Sequence, residues 1–398
     1  MKPPRDLHAW LVVLGGVAAA MHVGKLPPAL PVLRDALGIS LVQAGFLLSM
    51  VQIGGMTLGL VAGLAADAAG PKRTMMTGLV LAGMASVLGG FAVSPSVLLV
   101  LRAVEGLGFL LGFMPAPALM RRLVDPSRIS AILGLWGAAM GFATAVALLL
   151  GPAFIAAFGW PGWWWLLGAF SLAMAAVLWR MVPPDPPRGG ARFDWGWRVR
   201  STLTSRGPWL VAFAFGLYSG QWLAVIGFLP TIYLAAGFHP AWSAVATAFA
   251  AAVNMVGSIA SGRLLQSGWP PPRLLAIGYT VMGAGGVLAF SGLLGSGPGS
   301  FAMRYAAVVA FSMVGGIVPG TLFSLAVRFA PSEQTVATTV GWMQQWSAFG
   351  QFCGPPLVAW LASVLGGWQW SWVVTGGFAL GGLLMAGSCA RLVPVRAH

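Results

Sequence analysis

The sequence predicts an all-α integral membrane protein: twelve transmembrane helices in two six-helix bundles related by a pseudo-twofold axis. Three observations predict it. Of 398 residues, 58% are hydrophobic and only 8% charged. A soluble domain carries about 25% charged residues, so this chain has too few to cover a water-exposed surface. Apolar runs long enough to cross hydrocarbon recur along the whole chain, and the second half repeats landmarks of the first. The 19 Trp and 56 Gly agree, because Trp gathers at bilayer interfaces and Gly lets membrane helices approach closely.

Crossing the hydrocarbon takes about 20 apolar residues. On that basis the spans fall at roughly 10–33, 42–66, 74–93, 96–120, 129–158, 162–181, 208–236, 241–266, 274–294, 301–327, 336–364 and 369–391. Lys2 and Arg5 ahead of Trp10–Ala20 imitate a secretory signal peptide. The apolar run continues to about Leu33, so it reads as a retained first helix. The stretch Val182–Gly207 is rich in Pro, Arg and Gly and reads as a linker. The expected domains are therefore 1–182, a cytoplasmic linker at 183–207, and 208–398.

The formal net charge of +14 would point to nucleic acid in a soluble protein. Here the cations are not gathered on one face. With both termini cytoplasmic, eighteen of the 22 Lys and Arg fall in cytoplasmic loops, tails and helix ends, as the positive-inside rule requires. Arg34 falls outside, and Lys25, Arg102 and Arg304 lie within helices. Nucleic acid is thus excluded as a partner, and lipid is expected. Cys353 and Cys389 form no CxxC pair or metal spacing and read as buried thiols; no cofactor is expected.

The halves repeat. Pro31 and Gly38 close the first helix, Pro230 and Gly237 the seventh, at an offset of 199 residues. Gly59 and Gly70 match Gly257 and Gly268 at an offset of 198. Pro126 and Ser127 match Pro331 and Ser332, and Gly151 and Pro152 match Gly354 and Pro355. Parallel six-helix repeats are a transporter architecture with the solute held near the midplane between them.

Ionisable groups at the bilayer centre cost about 2.5–3.5 kcal/mol on insertion scales, so they are rare and usually functional. His22 and Lys25 share a face of the first helix at a spacing of three, as do Arg102 and Glu105 on the fourth. Local readings stand beside functional ones: Lys25 could snorkel outward, His22 could bond a neighbouring helix, and Arg102 with Glu105 could be a structural pair. The functional reading makes Lys25 and Arg102 the positive lining of a cavity and Glu105 the proton-exchange candidate. Arg304 sits near an outer helix end, where headgroups can hydrate it. At the offset of 199, His22 corresponds to Gln221. Tyr218 lies one turn from Gln221. With Gln52, Asn254, Gln344 and Gln345, plus Gln351 nearby, these amides and phenol need partners from helices or from a ligand. The in-helix charge of +2, from Lys25, Arg102, Arg304 and Glu105, favours a small anionic solute.

Between the second and third helices, Gly63, Asp67, Gly70, Lys72 and Arg73 resemble the G-x-L-x-D-R-x-G-R-K/R loop of the major facilitator superfamily. Glycines suit a tight turn, an acid a local pair or helix cap, and cations anionic lipid. The family's Arg after the Asp is Ala68 here, which weakens the loop's usual charge relay. Arg102, Gly106 and Gly108 resemble its R-x-x-x-G-x-G signature. A narrower resemblance, through Met120, Arg121, Arg122, Gly134, Trp136, Tyr218, Gln221, Trp222, Leu229 and Pro230, is to the cyanate and nitroimidazole transporter branch. It implies movement of small anions or small polar molecules. Gly151 and Pro152 lack the glycines of the drug-exporter motif G-P-x-x-G-G.

The resemblance implies secondary transport by alternating access in a bacterial inner membrane, by a chain expected to act as a monomer. No GxxxxGK loop ending in Ser or Thr is present, so the drive is proton or ion symport, or exchange. Proton-coupled efflux of hydrophobic drugs is the competing transport reading. An integral-membrane enzyme is the alternative of another class, and neither HExxH nor GxSxG is present to support it.

Overall fold

The computed structural model describes the backbone of residues 5–125, 129–186, 194–295 and 297–392; side chains at 5–6, 62–69, 129–131, 133–135, 137, 138 and 298 are not described. Among the described residues there are seventeen α-helices, two short 3-10 turns and no strand. Sixteen of the helices make the twelve spans.

The first span is α1 (Arg5–Gly24) and α2 (Leu26–Leu37), separated at Lys25; the second is α3 (Leu41–Met50) and α4 (Ile53–Ala69). The third is α5 (Pro71–Gly89), and the fourth is α6 (Pro95–Phe113) with α7 (Ala116–Leu123). Next comes α8 (Ile129–Met181), whose 53 residues at 1.5 Å each would reach about 80 Å, far more than one bilayer. It is two spans joined at Gly159, where φ is 73°. Only glycine takes that left-handed turn without strain, which is why the fifth and sixth spans part there. The short α9 (Trp195–Thr204) follows, its start capped by Asp194.

The second half runs α10 (Arg206–Ala235), α11 (Pro240–Ala252) and α12 (Asn254–Gln266), α13 (Pro271–Phe290), α14 (Pro298–Gly315) and α15 (Ile317–Phe329), α16 (Val336–Val364) and α17 (Ser371–Leu392). The chain divides into two compact units, Met1–Phe193 with Leu229–Ala248, and Asp194–Phe228 with Phe249–His398.

Local chemistry explains the boundaries. Ser40 and Gln43 form a capping box at the start of α3, and Ser94 caps α6 ahead of Pro95. The second and eighth spans are interrupted at equivalent places, Val51–Gln52 and Val253. At both, a glycine from the same unit presses against the interrupted backbone: Gly106 of α6 against Val51, and Gly316 against the carbonyl of Asn254. The outer surface carries large exposed apolar side chains such as Val100, Phe158, Trp242, Leu380 and Leu384. In water such a surface would drive association; facing lipid it is the expected exterior.

Candidate functional site

The first unit places four of the predicted residues in one buried cluster. Lys25 sits at the break between α1 and α2, so its side chain leaves span one beside α5, α6 and the last part of α8. Its ammonium pairs with the Glu105 carboxylate, donates to Ser86 Oγ at 2.8 Å and lies 4.4 Å from the centre of the Trp164 ring. Ser86 in turn donates to the Trp164 carbonyl at 2.7 Å. Trp163 Nε1 donates to the Lys25 carbonyl at 3.1 Å, bracing the break itself.

Arg102, one turn before Glu105 on α6, donates through Nη1 to Glu105 Oε2 at 2.6 Å and to the His22 carbonyl at 2.7 Å. Its Nε reaches the Leu47 carbonyl at 3.4 Å. His22 Nε2 bonds Ser171 Oγ at 2.8 Å, and its Nδ1 stands 3.8 Å from Glu105 Oε1. All four side chains are fully buried. Lys25 and Arg102 face one carboxylate, so with both protonated and His22 neutral the cluster carries a surplus of one positive charge. Arg102 Nη2 and His22 Nδ1 have no hydrogen-bond partner. A buried charge away from water needs a counter-charge or must lose its proton.

The second unit holds a neutral network. Tyr218 donates to Asn254 Oδ1 at 3.1 Å, and Asn254 Nδ2 donates to the Ser312 carbonyl at 2.7 Å. Trp222 Nε1 donates to Ser312 Oγ at 3.1 Å. Gln221 is fully buried and neither atom of its amide has a partner. Gln344 and Gln345 lie half-buried on α16, and Gln351 Nε2 donates to Ser347 Oγ at 3.3 Å. Gln52 is buried at the interruption of span two in the first unit. Arg304 is half-buried and donates to the Gly295 carbonyl at 2.5 Å, a loop contact near its helix end. The structure thus joins His22, Lys25, Arg102 and Glu105, and separately Tyr218 and Asn254; Gln221 bonds to neither group.

The expected loop motif falls mostly within helices: Gly63 and Asp67 belong to the last turns of α4, their side chains outside the described residues, and Lys72 and Arg73 to the first turn of α5. Gly70 takes φ 90° ahead of α5, with the Asp185 carboxylate against its Cα. Sequence reasoning missed Asp185. Its Oδ1 accepts from the Lys72 N–H at 3.1 Å and its Oδ2 from the Arg73 N–H at 3.0 Å, and Arg122 Nη1 pairs with it at 2.5 Å. Arg122 Nη2 also donates to the Pro183 carbonyl at 3.0 Å. The Lys72 ammonium caps the end of α8 on the carbonyls of Trp179 and Val182, at 2.9 and 2.5 Å. Partial burial raises the Asp185 pKa, but the Arg73 and Lys72 amides and the Arg122 guanidinium outweigh it and hold the carboxyl below its ordinary range. Among the described residues no three His, Cys, Asp or Glu gather as metal ligands, and both cysteines are free thiols.

The profile described as Major Facilitator Superfamily matches residues 12–352. A 2-nitroimidazole transporter of Escherichia coli (strain K12) is 27% identical over 91% of this chain and 90% of its own length. Monocarboxylate transporter 13 of Bos taurus is 28% identical over 79% of this chain and 72% of its own. Among solved structures, a bacterial homologue of the human lysosomal transporter Spinster, inward-facing and occupied, superposes with a TM-score of 0.81 at 16% identity. That match covers 99% of this chain and 98% of the other.

Proposed function

This chain belongs to the Major Facilitator Superfamily, and we propose that it carries a small organic anion across the bacterial inner membrane by alternating access. It is a multi-pass membrane transporter, not an enzyme. The observation that carries the finer reading is the surplus positive charge of the Lys25–Glu105–Arg102–His22 cluster, with an open donor on Arg102 and an unpaired ring nitrogen on His22. A carboxylate matches a guanidinium fork and would supply the missing counter-charge. The similarity to a monocarboxylate transporter supports the same solute class, and that to a nitroimidazole transporter supports small size.

Coupling follows from the same charges. While no solute is bound, Glu105 pairs with both cations and leaves one positive charge uncompensated. An anion that takes over Arg102 and Lys25 leaves Glu105 with less opposing charge, and a buried carboxylate so placed takes up a proton. Solute and proton then travel together, or exchange against another solute. Gln221, Tyr218, Asn254, Gln52, Gln344 and Gln345 supply hydrogen bonds to the solute. Gly63, Asp67, Gly70, Lys72 and Arg73, at the junction of α4 and α5, form the cytoplasmic gating motif. Both termini are cytoplasmic and the chain works as a monomer.

The test is uptake by proteoliposomes of a panel of small aliphatic and aromatic carboxylates. K25A and R102A are each expected to lower uptake at least about tenfold, the equivalent of about 1.4 kcal/mol. Unchanged uptake of every tested anion in both variants would end the anion reading. A second reading, efflux of hydrophobic drugs, is favoured by the aromatic group of Trp209, Phe213, Trp342, Trp346 and Phe349 in the second unit. Drug sensitivity of a deletion strain separates the two.

A further inference from the structure

A cavity of about 1090 Å³ lies among the linker-side ends of α5, α7 and α8 and the segment after α8. Its walls carry four permanent cations, Lys72, Arg73, Arg122 and Arg180, against two acids, Asp125 and Asp185. Two of the cations are consumed by the fold: Lys72 on the carbonyls of Trp179 and Val182, Arg122 on Asp185 and the Pro183 carbonyl. Asp185 is consumed with them. Arg73 and Arg180 are exposed, and their guanidinium groups have no partner among the described residues. Trp179, on the same wall, is 67% exposed, an indole placed where apolar belt meets basic rim.

We propose that this cavity binds a phosphate-bearing anion, held by Arg73 and Arg180 and bordered by Trp179, at a site distinct from the buried cluster. The chemistry is that of a phosphate mono- or diester. A guanidinium fork matches phosphate oxygens, the wall has a surplus of two positive charges, and the volume leaves ample room for a headgroup-sized ligand. The positive-inside distribution puts this face in the cytoplasmic leaflet, where anionic headgroups reside. Two sources supply the same chemistry, a phosphatidylglycerol headgroup or a soluble phosphate ester.

The experiment uses the full-length protein in nanodiscs of phosphatidylcholine, with or without phosphatidylglycerol, and in phosphatidylcholine discs with millimolar glycerol 3-phosphate. A ligand of the native state raises Tm. Phosphatidylglycerol raising Tm by several degrees, with more than half of the shift lost in R73Q/R180Q and none in the control R200Q/R273Q, supports the site with lipid as its source. The same pattern with glycerol 3-phosphate supports it with a soluble source. No shift with either ligand, or equal losses in the two variant pairs, overturns it, the latter because generic surface charge would then explain the effect. Should R73Q/R180Q fail to fold, native mass spectrometry of the wild type decides: retained phosphatidylglycerol displaced by glycerol 3-phosphate supports the site, and no retained adduct of either overturns it.

Discussion

Lys25 and Glu105, 80 residues apart in sequence, form an ion pair with essentially no solvent exposure, and Arg102 holds the other oxygen of the same carboxylate. Removing the carboxylate alone strands two buried cations, a loss of the size measured for broken buried pairs, about 3–5 kcal/mol. Glu105→Gln is therefore expected to be severely destabilised. Adding Lys25→Met to it removes one stranded charge and returns the cluster to the wild-type surplus of one. The double variant should melt above Glu105→Gln in detergent. Additive losses would show that the pair is not coupled.

Asp185 makes the bundle end sensitive to pH with a definite sign. Its carboxyl is held below the usual range in the folded state. The stability it contributes is therefore complete above the unfolded-state pKa of about 3.9 and is lost as pH falls through the lower folded value. Asp185→Ala removes a cap on α5, a change that costs about 0.5–2 kcal/mol. Melting curves of wild type and variant should differ at neutral pH and converge in acid. A gap that persists unchanged into acid would mean the carboxylate charge is irrelevant.

Glycine pairs give a prediction with an internal control. Gly350 and Gly354 of α16 lie against the carbonyls of Gly216 and Gly220 on α10, within the second unit. A Cβ on either α16 glycine would overlap backbone, which cannot swing aside as a side chain can. Gly350→Ala and Gly354→Ala should each destabilise by about 1–3 kcal/mol. At Gly387 of α17 nothing lies within 4 Å of where a Cβ would stand, so Gly387→Ala should be neutral or gain up to about 1 kcal/mol from helix propensity. Equal thermal shifts at the two kinds of site would show that the close approach does not carry stability.

These contacts mark where sequence reading succeeds and stops. The spans were legible because twenty apolar residues and the landmarks repeated near an offset of 199 are properties of the chain itself. His22, Lys25, Arg102 and Glu105 stood out because ionisable groups at that depth are rare, and spacing of three paired them on their helices. That the two pairs meet depends on how α1 packs against α6, for which no local signal exists. Asp185 was hidden differently: between Pro184 and Pro186 it looks like any polar linker residue, and only the fold brings it to the start of α5, 113 residues earlier. The spacing of four in Gly216/Gly220 and Gly350/Gly354 is visible in the sequence, but that each faces the other is not.

Gln221 separates a binding role from a structural one, because the two make opposite predictions for stability and transport. Its amide is fully buried with no partner for either atom, and an unsatisfied buried polar group costs about 1–3 kcal/mol. Gln221→Met keeps the length of the side chain and removes both polar atoms. The variant should therefore melt higher than wild type. If the missing partner is the solute, uptake of that solute should fall together with the gain in stability, through a raised KM more than a lowered maximal rate. Higher stability with unchanged uptake would remove Gln221 from the binding site, and lower stability would mean that its amide is satisfied within the fold.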